Sequence, residues 1–117
     1  MMWSIELPYP PSGNHRNGFD GKRTFRRDST TKYFRAVAYT LLAQSYPKGL
    51  CARLSVTCTV HPPDRRKRDL DNAWKAAGDA LTEAGVWLDD FQIDALQLLR
   101  AAPVQGGKIV VDIQEIA

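Results

Sequence analysis

The residues best suited to carry out chemistry lie between Asp64 and Lys75. This stretch, DRRKRDLDNAWK, places four consecutive cations before two carboxylates, Asp69 and Asp71, and Lys75 follows one helical turn after Asp71. A patch that only binds phosphate gains nothing from carboxylates, whereas a site that cuts the phosphodiester backbone needs hard oxygen ligands to hold Mg²⁺ against a phosphate. The mixture indicates carboxylates that bind a metal and cations that bind DNA.

The two carboxylates can reach one ion only if Asp69 lies outside the helix that follows it. On an ideal helix, residues two positions apart point about 200° away from each other. Asp is a favoured N-cap residue, and the backbone at an N-cap is not yet helical. We therefore expect Asp69 at the N-cap and Asp71 in the first turn. A second acidic pair, Asp89 and Asp90, would add a third carboxylate if the chain turns back beneath the start of this helix.

Each of these features also has an ordinary structural explanation. Asp69 could only cap the helix, Asp71 could only favour the helix dipole, and Lys75 could be an exposed residue paired with an acid one turn away. Asp89 and Asp90 could form a solvated turn. The four cations could bind nucleic acid without cutting it. Spacing alone leaves these alternatives open.

The apolar pattern predicts the elements that must position these groups. Alternation predicts strands at about 3–7, 51–60, 93–100 and 108–115. Helical spacing predicts a first helix that follows the cap-type residues Ser29, Thr30 and Thr31 and ends near Pro47 to Gly49, and a second helix from 69 to 84 with Gly85 as its C-terminal cap. The expected buried stripe of the first helix is Phe34, Val37, Ala38, Leu41 and Leu42. The order predicts a single α+β domain in which two main helices pack on one mixed or antiparallel sheet.

Charge is distributed unevenly along the chain. Residues 1–75 carry 14 basic and six acidic residues, a net of +8, whereas residues 76–117 carry two and seven, a net of −5. Such polarity indicates a charged partner, with polyanionic nucleic acid as the first candidate. Part of the positive charge lies in residues 12–28, where Asn17-Gly18 and Asp20-Gly21 signal turns and predict either a short hairpin or a mobile loop.

Composition excludes several classes of protein. The 117 residues suit one domain rather than several. No apolar run approaches the roughly 18 residues of a membrane span, and the first residues lack the basic and apolar regions of a signal peptide, so we expect a cytoplasmic protein. Two cysteines and two histidines at these positions argue against a zinc site.

Two longer motifs resemble a known family. The run from Pro62 to Asp90, which contains PDRRKRDLDNAWKAAGDALTEAGVWLDD, resembles the central motif of the RusA family of Holliday-junction resolvases. The segment ELPYPPSGNHR, from Glu6 to Arg16, is similar to the LPxPPSxN opening of that family. Chain length and element order agree as well, so the resemblance spans nearly the whole chain.

The resemblance implies a Mg²⁺-dependent crossover junction endodeoxyribonuclease of bacterial or phage origin, acting in recombination and repair. Such an enzyme nicks opposing strands of four-way DNA junctions symmetrically as a homodimer. Carried over residue by residue, the catalytic, metal-binding aspartates fall on Asp69, Asp71 and Asp90, and the essential lysine falls on Lys75. Gly78 departs from the pattern, because a large apolar residue can occur there in relatives. If that position helps to open the junction, this chain opens it less well.

The same resemblance assigns the cations to the DNA backbone, where they would hold phosphates without reading bases. The expected DNA-binding residues are Arg65, Arg66, Lys67, Arg68, Asn72, Asn14, Arg16, Lys22, Arg23, Arg26 and Arg27. A chain this short cannot surround a junction alone, and a two-fold dimer presents two sites in matching orientation. Two alternatives use the same residues: a module that binds junctions or other DNA without cutting, and a nuclease that acts on flaps and forks.

Overall fold

Two helices pack on a four-stranded sheet in the part of the chain that the structure describes. The structure is a computed structural model that describes residues 2–11, 17–19, 24–26 and 28–116. The elements are β1 (Met2–Pro8), β2 (Asn17–Phe19), β3 (Thr24–Arg26), α1 (Asp28–Leu42), β4 (Arg53–His61), α2 (Leu70–Glu83), a 3₁₀ turn (Asp90–Gln92), β5 (Ile93–Arg100) and β6 (Lys108–Ile116). The predicted α+β class, with two main helices packed on a mixed sheet, is confirmed, and β2 and β3 form a separate two-stranded sheet.

The sheet is mixed, with strand order β1-β6-β4-β5. β6 pairs antiparallel with both β1 and β4, whereas β4 pairs parallel with β5 through the crossover helix α2. As a result β1, β4 and β5 run in the same direction. Their carboxyl ends and the start of β6 therefore meet at one edge of the sheet, as the pairs Pro8–Lys108, His61–Lys108 and Val60–Arg100 show.

One face of the sheet forms the core with the helices. Alternate residues of β4 are buried, namely Leu54, Val56, Cys58 and Val60, as the alternation in the sequence predicts. Helix α2 packs on this face through small side chains, Ala73, Ala76, Ala77 and Ala80, which allow its backbone to lie close to the strands. Beyond the helix, Trp87 is 1% exposed. The second helix and its N-terminus are thus held firmly against the sheet.

The buried face of α1 differs from the prediction. The structure buries Thr30, Tyr33, Val37 and Leu41, whereas Ala38 is exposed and Leu42 is 75% exposed. The physical reason is a contact with β1, because the Tyr33 hydroxyl donates a hydrogen bond to the Pro8 carbonyl oxygen over 2.8 Å. This contact turns the Tyr33 side of the helix, rather than the Ala38 side, toward the sheet. The helix also begins at Asp28, before the expected cap residues Ser29 to Thr31 rather than after them, and it ends at Leu42, before the expected end near Pro47.

Smaller boundaries are also settled. β4 begins at Arg53, so Cys51 lies outside the strand and is exposed, whereas Cys58 is buried within it. Residues 17–19 and 24–26 form an antiparallel hairpin, which was one of the two alternatives for this segment. Gly85 follows α2 with φ of +83°, as a C-terminal cap requires. In the described ranges, no helix is long and apolar enough to cross a membrane.

Candidate active site

The predicted functional segment lies at the edge where the carboxyl ends of β1, β4 and β5 meet. The chain leaves β4 at His61, forms a loop over residues 62–69, and enters α2 at Leu70. In a β-α-β unit, the crevice outside the carboxyl ends of the strands is the usual place for a ligand. The mixed topology therefore puts Asp69, Asp71 and the four cations at this edge.

Asp69 occupies the N-cap of α2, as predicted. Its backbone is extended, with φ of −89° and ψ of 135°, and Asp71 lies in the first helical turn. Within the described chain, the Asp69 side chain makes no capping hydrogen bond. Both carboxylates are exposed. The ordinary explanation of Asp69 as a side-chain cap therefore does not account for this residue.

The basic loop before Asp69 is braced by its own acid, Asp64. One oxygen of Asp64, Oδ1, accepts hydrogen bonds from Arg68 Nη1 at 2.6 Å and from the backbone N–H of Arg66 at 2.9 Å. The hydrogen bond from Arg68, followed by that from Arg66, lowers the pKa of Asp64 to about 2. Arg65, Arg66 and Lys67 remain exposed. The loop is thus shaped by one acid while three cations face solvent, where they can meet an anion.

A second brace comes from the neighbouring strand. Arg100, the last residue of β5, donates a hydrogen bond from Nη2 to the Arg68 carbonyl oxygen over 2.8 Å. A cleft of about 380 Å³ lies between this arginine and the loop. Its lining is strongly cationic and comprises Pro62, Asp64, Arg65, Arg66, Lys67, Arg68, Arg100, Ala101, Ala102 and Pro103. This cationic cleft is suited to a backbone phosphate.

A second cavity, of about 440 Å³, opens on the other side of the loop. It lies between the segment after β1 and the start of α2, and its lining comprises Tyr9, Pro10, Pro11, Arg66, Lys67, Arg68, Asp69, Asn72 and Ala73. The Arg68 guanidinium carbon lies 6.0 Å from the centroid of the Tyr9 ring. We call this cavity the Tyr9 pocket. It joins an aromatic wall to the predicted catalytic residue Asp69.

The second acidic pair forms its own turn after α2. Asp89 caps the 3₁₀ turn by accepting a hydrogen bond from the Phe91 N–H at 2.9 Å, and this bond, with a further one from Asp90, lowers the pKa of Asp89. The pKa of Asp90 is raised, first by its hydrogen bond with Asp89, then by desolvation and the charges of Asp89 and Asp79. Asp79 lies two turns beyond Asp71 on α2.

Gln92 fixes this acidic turn from beneath. Gln92 is 8% exposed, and both the oxygen and the nitrogen of its side-chain amide form hydrogen bonds. Oε1 accepts from the N–H groups of Leu88 and Asp89 at 2.8 Å, and Nε2 donates to the carbonyl oxygens of Leu50 and Ala52 at 2.8 and 2.9 Å. A buried amide with all four partners holds the turn rigidly, because each lost bond would leave a buried polar group unpaired.

The predicted carboxylates have the chemistry that Mg²⁺ requires, but they do not form a ready-made metal site. Asp69 and Asp71 are exposed carboxylates at the N-cap and in the first turn of α2, and carboxylate oxygens are suitable magnesium ligands. Among the described residues, however, no set of three or more His, Cys, Asp or Glu side chains is already arranged to hold a metal ion. The binding of a metal ion by Asp69, Asp71 and Asp90 therefore stays a prediction.

Of the predicted DNA-binding residues, the structure brings five together. Arg66, Lys67, Arg68 and Asn72 line the Tyr9 pocket, and Arg65 joins the cationic cleft. The side chain of Arg26, in β3, and the residues Asn14, Arg16, Lys22, Arg23 and Arg27 lie outside what the structure describes.

Sequence reasoning missed three residues of this site: Tyr9, Gln92 and Arg100. A signal existed for Tyr9, which stands between prolines in the LPYPPS motif, and for Arg100, one of two cations in the acidic part of the chain. Gln92 carried no signal in the sequence, because its four partners come from two separate segments.

Comparisons with known proteins find similarity along nearly the whole chain. A family model described as Endodeoxyribonuclease RusA matches residues 8–114. The crossover junction endodeoxyribonuclease RusA of Escherichia coli strain K12 is 38% identical over 114 residues, which cover 97% of this chain and 95% of the relative. Proteins of the same name from Shigella sonnei strain Ss046 and Enterobacteria phage 82 are 37% and 36% identical over the same shares of the chains.

Proposed function

The chain belongs to the RusA family of endodeoxyribonucleases, and from this premise we propose that it resolves four-way (Holliday) DNA junctions by paired symmetric nicks in opposing strands. In this proposal it is a Mg²⁺-dependent, homodimeric enzyme of DNA recombination and repair. The relatives that share nearly its full length are named crossover junction endodeoxyribonucleases. The chain keeps every residue type that such chemistry requires at Asp69, Asp71, Lys75 and Asp90.

The arrangement at the start of α2 is the observation that carries the proposal. The Asp69 carboxylate has no capping role among the described residues, and it lies beside Asp71 at the edge of a cationic loop. Uncompensated carboxylates would repel DNA at this place, so their presence next to phosphate-binding cations calls for a divalent ion. When bound, Mg²⁺ would polarise the scissile phosphate and make a water molecule a better nucleophile.

The residues of the site divide into metal ligands and groups that bind the DNA. Asp69 and Asp71, with Asp90, would hold the metal. Lys75 lies on the exposed side of α2, one turn after Asp71, where its ammonium group would stabilise negative charge as it develops on the phosphate. The loop cations and Arg100 would hold flanking phosphates, which fixes the register of the strand without reading its sequence.

A two-fold dimer matches the symmetry of the substrate. A four-way junction must be cut twice, at positions related by an approximate two-fold axis. Two copies of the chain related by such an axis present two identical sites in the required relative orientation. The dimer belongs to the proposal together with the metal.

One incubation tests the proposal. A labelled four-way junction is incubated with the wild-type protein and with Asp71→Asn, with and without Mg²⁺. We expect paired nicks only from the wild type with Mg²⁺, while Asp71→Asn binds the junction as tightly or more tightly, because a negative charge near DNA has been removed. Asp112→Asn, on the sheet face opposite the helices, is the matched control. Unchanged nicking by Asp71→Asn would refute the assignment.

The two alternatives give different results in the same assay. A module that only binds DNA yields salt-sensitive binding and no metal-dependent product. A nuclease for flaps and forks cuts those substrates as fast as the junction. Junction, fork, flap and linear duplex are therefore compared side by side, and equal rates on all four count against a resolvase.

A further inference from the structure

The Tyr9 pocket has a lining that suits a nucleobase. On one side lie Tyr9, Pro10 and Pro11, and the prolines lack N–H groups that could bind a phosphate. On the other side lie the cations of the loop and the amide of Asn72. Its volume of about 440 Å³ is within the usual range for small-ligand sites, about 300–1,000 Å³. The pocket thus offers an aromatic face, a polar edge group and nearby positive charge.

The cationic cleft on the other side of the loop makes a useful contrast. It is lined by five cations together with Asp64, two prolines and two alanines. That lining suits a phosphate alone. Both cavities share Arg66, Lys67 and Arg68, so the Tyr9 pocket is distinguished by its aromatic wall and by Asn72 and Asp69.

One contact confines the Tyr9 side chain and another holds the backbone just before it. Gly107, the residue before β6, approaches so closely that a Cβ atom there would lie 2.8 Å from Cβ and Cγ of Tyr9. On the preceding residue, the Pro8 carbonyl oxygen accepts the 2.8 Å hydrogen bond of the Tyr33 hydroxyl. A ring that is already immobilised loses little conformational entropy when a ligand stacks on it.

The opposite wall is immobilised too. Arg68 is held by its 2.6 Å ion pair with Asp64 and by the hydrogen bond from Arg100 to its carbonyl oxygen. Its guanidinium lies 6.0 Å from the centre of the Tyr9 ring, at the outer limit of a cation–π contact. Aromatic rings and arginine planes are the surfaces on which proteins stack unpaired bases.

From these contacts we infer that the Tyr9 pocket binds one unstacked nucleobase from the junction crossover, stacked on the Tyr9 ring. The inference rests on the proposed function. Base stacking is interrupted at a crossover, so a base there costs less to extrude than one within a duplex. Asp69 lines the same pocket. A base bound there places its own phosphate against the predicted catalytic carboxylates, and Tyr9 is then a positioning residue for the cut.

A double-mutant cycle, in which the Tyr9 ring and the DNA base are removed separately and together, tests the inference. Single-turnover nicking is measured for wild type, Tyr9→Leu and Tyr9→Phe on intact junctions and on junctions with a tetrahydrofuran abasic analogue on either side of the cleaved phosphate. We expect Tyr9→Leu to slow nicking of the intact junction about tenfold, equivalent to about 1.4 kcal/mol of stacking. On the junction that lacks the bound base, the same variant should have less than about a twofold effect.

Controls separate stacking from other losses. Tyr9→Phe keeps the ring and should nick within about twofold of wild type, and Tyr39→Leu, which removes an exposed ring on α1, should have no effect. An equal slowing by Tyr9→Leu on intact and on both abasic junctions would overturn the inference, because the ring would then act independently of a base.

A second measurement uses only the wild-type protein, in case Tyr9→Leu does not fold. Junctions with 5-iododeoxyuridine at each crossover position are irradiated without Mg²⁺, and the adduct is located by mass spectrometry. We expect it on Tyr9, whereas an adduct elsewhere, or none, overturns the inference. A protein that crosslinks at Tyr9 but never nicks would contradict the proposed function instead, so the two failures are distinguishable.

Discussion

The Nη2 atom of Arg100 donates a hydrogen bond over 2.8 Å to the carbonyl oxygen of Arg68, a residue 32 positions earlier in the chain. This bond joins the carboxyl end of β5 to the loop that ends at the N-cap residue Asp69. The parallel pairing of β4 with β5 makes the contact possible, because it brings the ends of both strands to the same edge of the sheet. The position of Asp69 therefore depends on a strand that lies outside the motif.

We expect substitution of Arg100 to slow nicking. Arg100→Met loses both the hydrogen bond to the loop and a cation of the cleft, and nicking should fall about tenfold, which corresponds to the loss of one charge-assisted hydrogen bond. Arg100→Lys keeps the charge but not the geometry of the hydrogen bond. Compared with Arg100→Met, it should therefore bring the salt dependence of junction binding closer to that of wild type than it brings the nicking rate. Arg35→Met, on α1, is the control, and unchanged nicking by Arg100→Met would contradict the prediction.

Substitution of Asp69 should have a large effect on activity and a small effect on stability. Its side chain makes no capping hydrogen bond to any described residue, so Asp69→Ala should change the free energy of unfolding by less than about 0.5 kcal/mol. Nicking should fall at least about 100-fold, the order expected when a group that stabilises charge is removed from an active site. Urea unfolding and the junction assay measure the two quantities.

Asp89→Ala provides the opposite case to Asp69→Ala. This residue does cap its turn through the Phe91 N–H, so its removal should lower the stability of the protein measurably. If Asp69→Ala is the more destabilising of the two variants, Asp69 has a structural role that the structure does not show.

The Asp64–Arg68 ion pair predicts a defined acid sensitivity. The pKa of Asp64 falls from 3.8 to about 2 in the folded protein, chiefly because Arg68 donates a hydrogen bond to it. Because the folded-state pKa is the lower one, the ion pair stabilises the protein fully above about pH 4 and loses this contribution as the pH falls toward about 2. The stability difference between wild type and Asp64→Asn should therefore be constant above about pH 5 and shrink below about pH 4. Urea unfolding across this range measures it, and a difference that grows with acidity would contradict the prediction.

Gly78 and Trp74 should be coupled in their effect on stability. A Cβ atom on Gly78 would lie 3.1 Å from Cζ2 and 3.2 Å from Cε2 of Trp74, so the indole ring already occupies the space that a larger residue needs. Gly78→Phe alone should destabilise the protein by about 1–3 kcal/mol through overpacking. In a Trp74→Leu background the same change should cost at least about 1 kcal/mol less. Urea unfolding of both single variants and the double variant measures the coupling, and additive effects would refute it.

Much of the fold follows from the sequence because the underlying signals are local. The alternation in β4 and the helical spacing from Leu70 to Glu83 are periodicities of two and 3.6 residues, which depend only on backbone geometry. The N-cap position of Asp69 was predictable for the same reason. The buried stripe of α1 was not, since several apolar phases were available and the choice among them was made by the Tyr33 hydroxyl and the Pro8 carbonyl, which lie 25 positions apart.

By itself, the sequence determined the residues of the motif, their order and the charge around them, because these depend on neighbours within one or two helical turns. Only the tertiary structure decided that Tyr9 and Arg100 lie on either side of the loop before Asp69. It also brought Asp90 close enough to Asp79 for the charge of Asp79 to help raise the pKa of Asp90. The physical reason is that strand direction and pairing order bring together chain ends that are distant in sequence, and local spacing carries no information about that pairing.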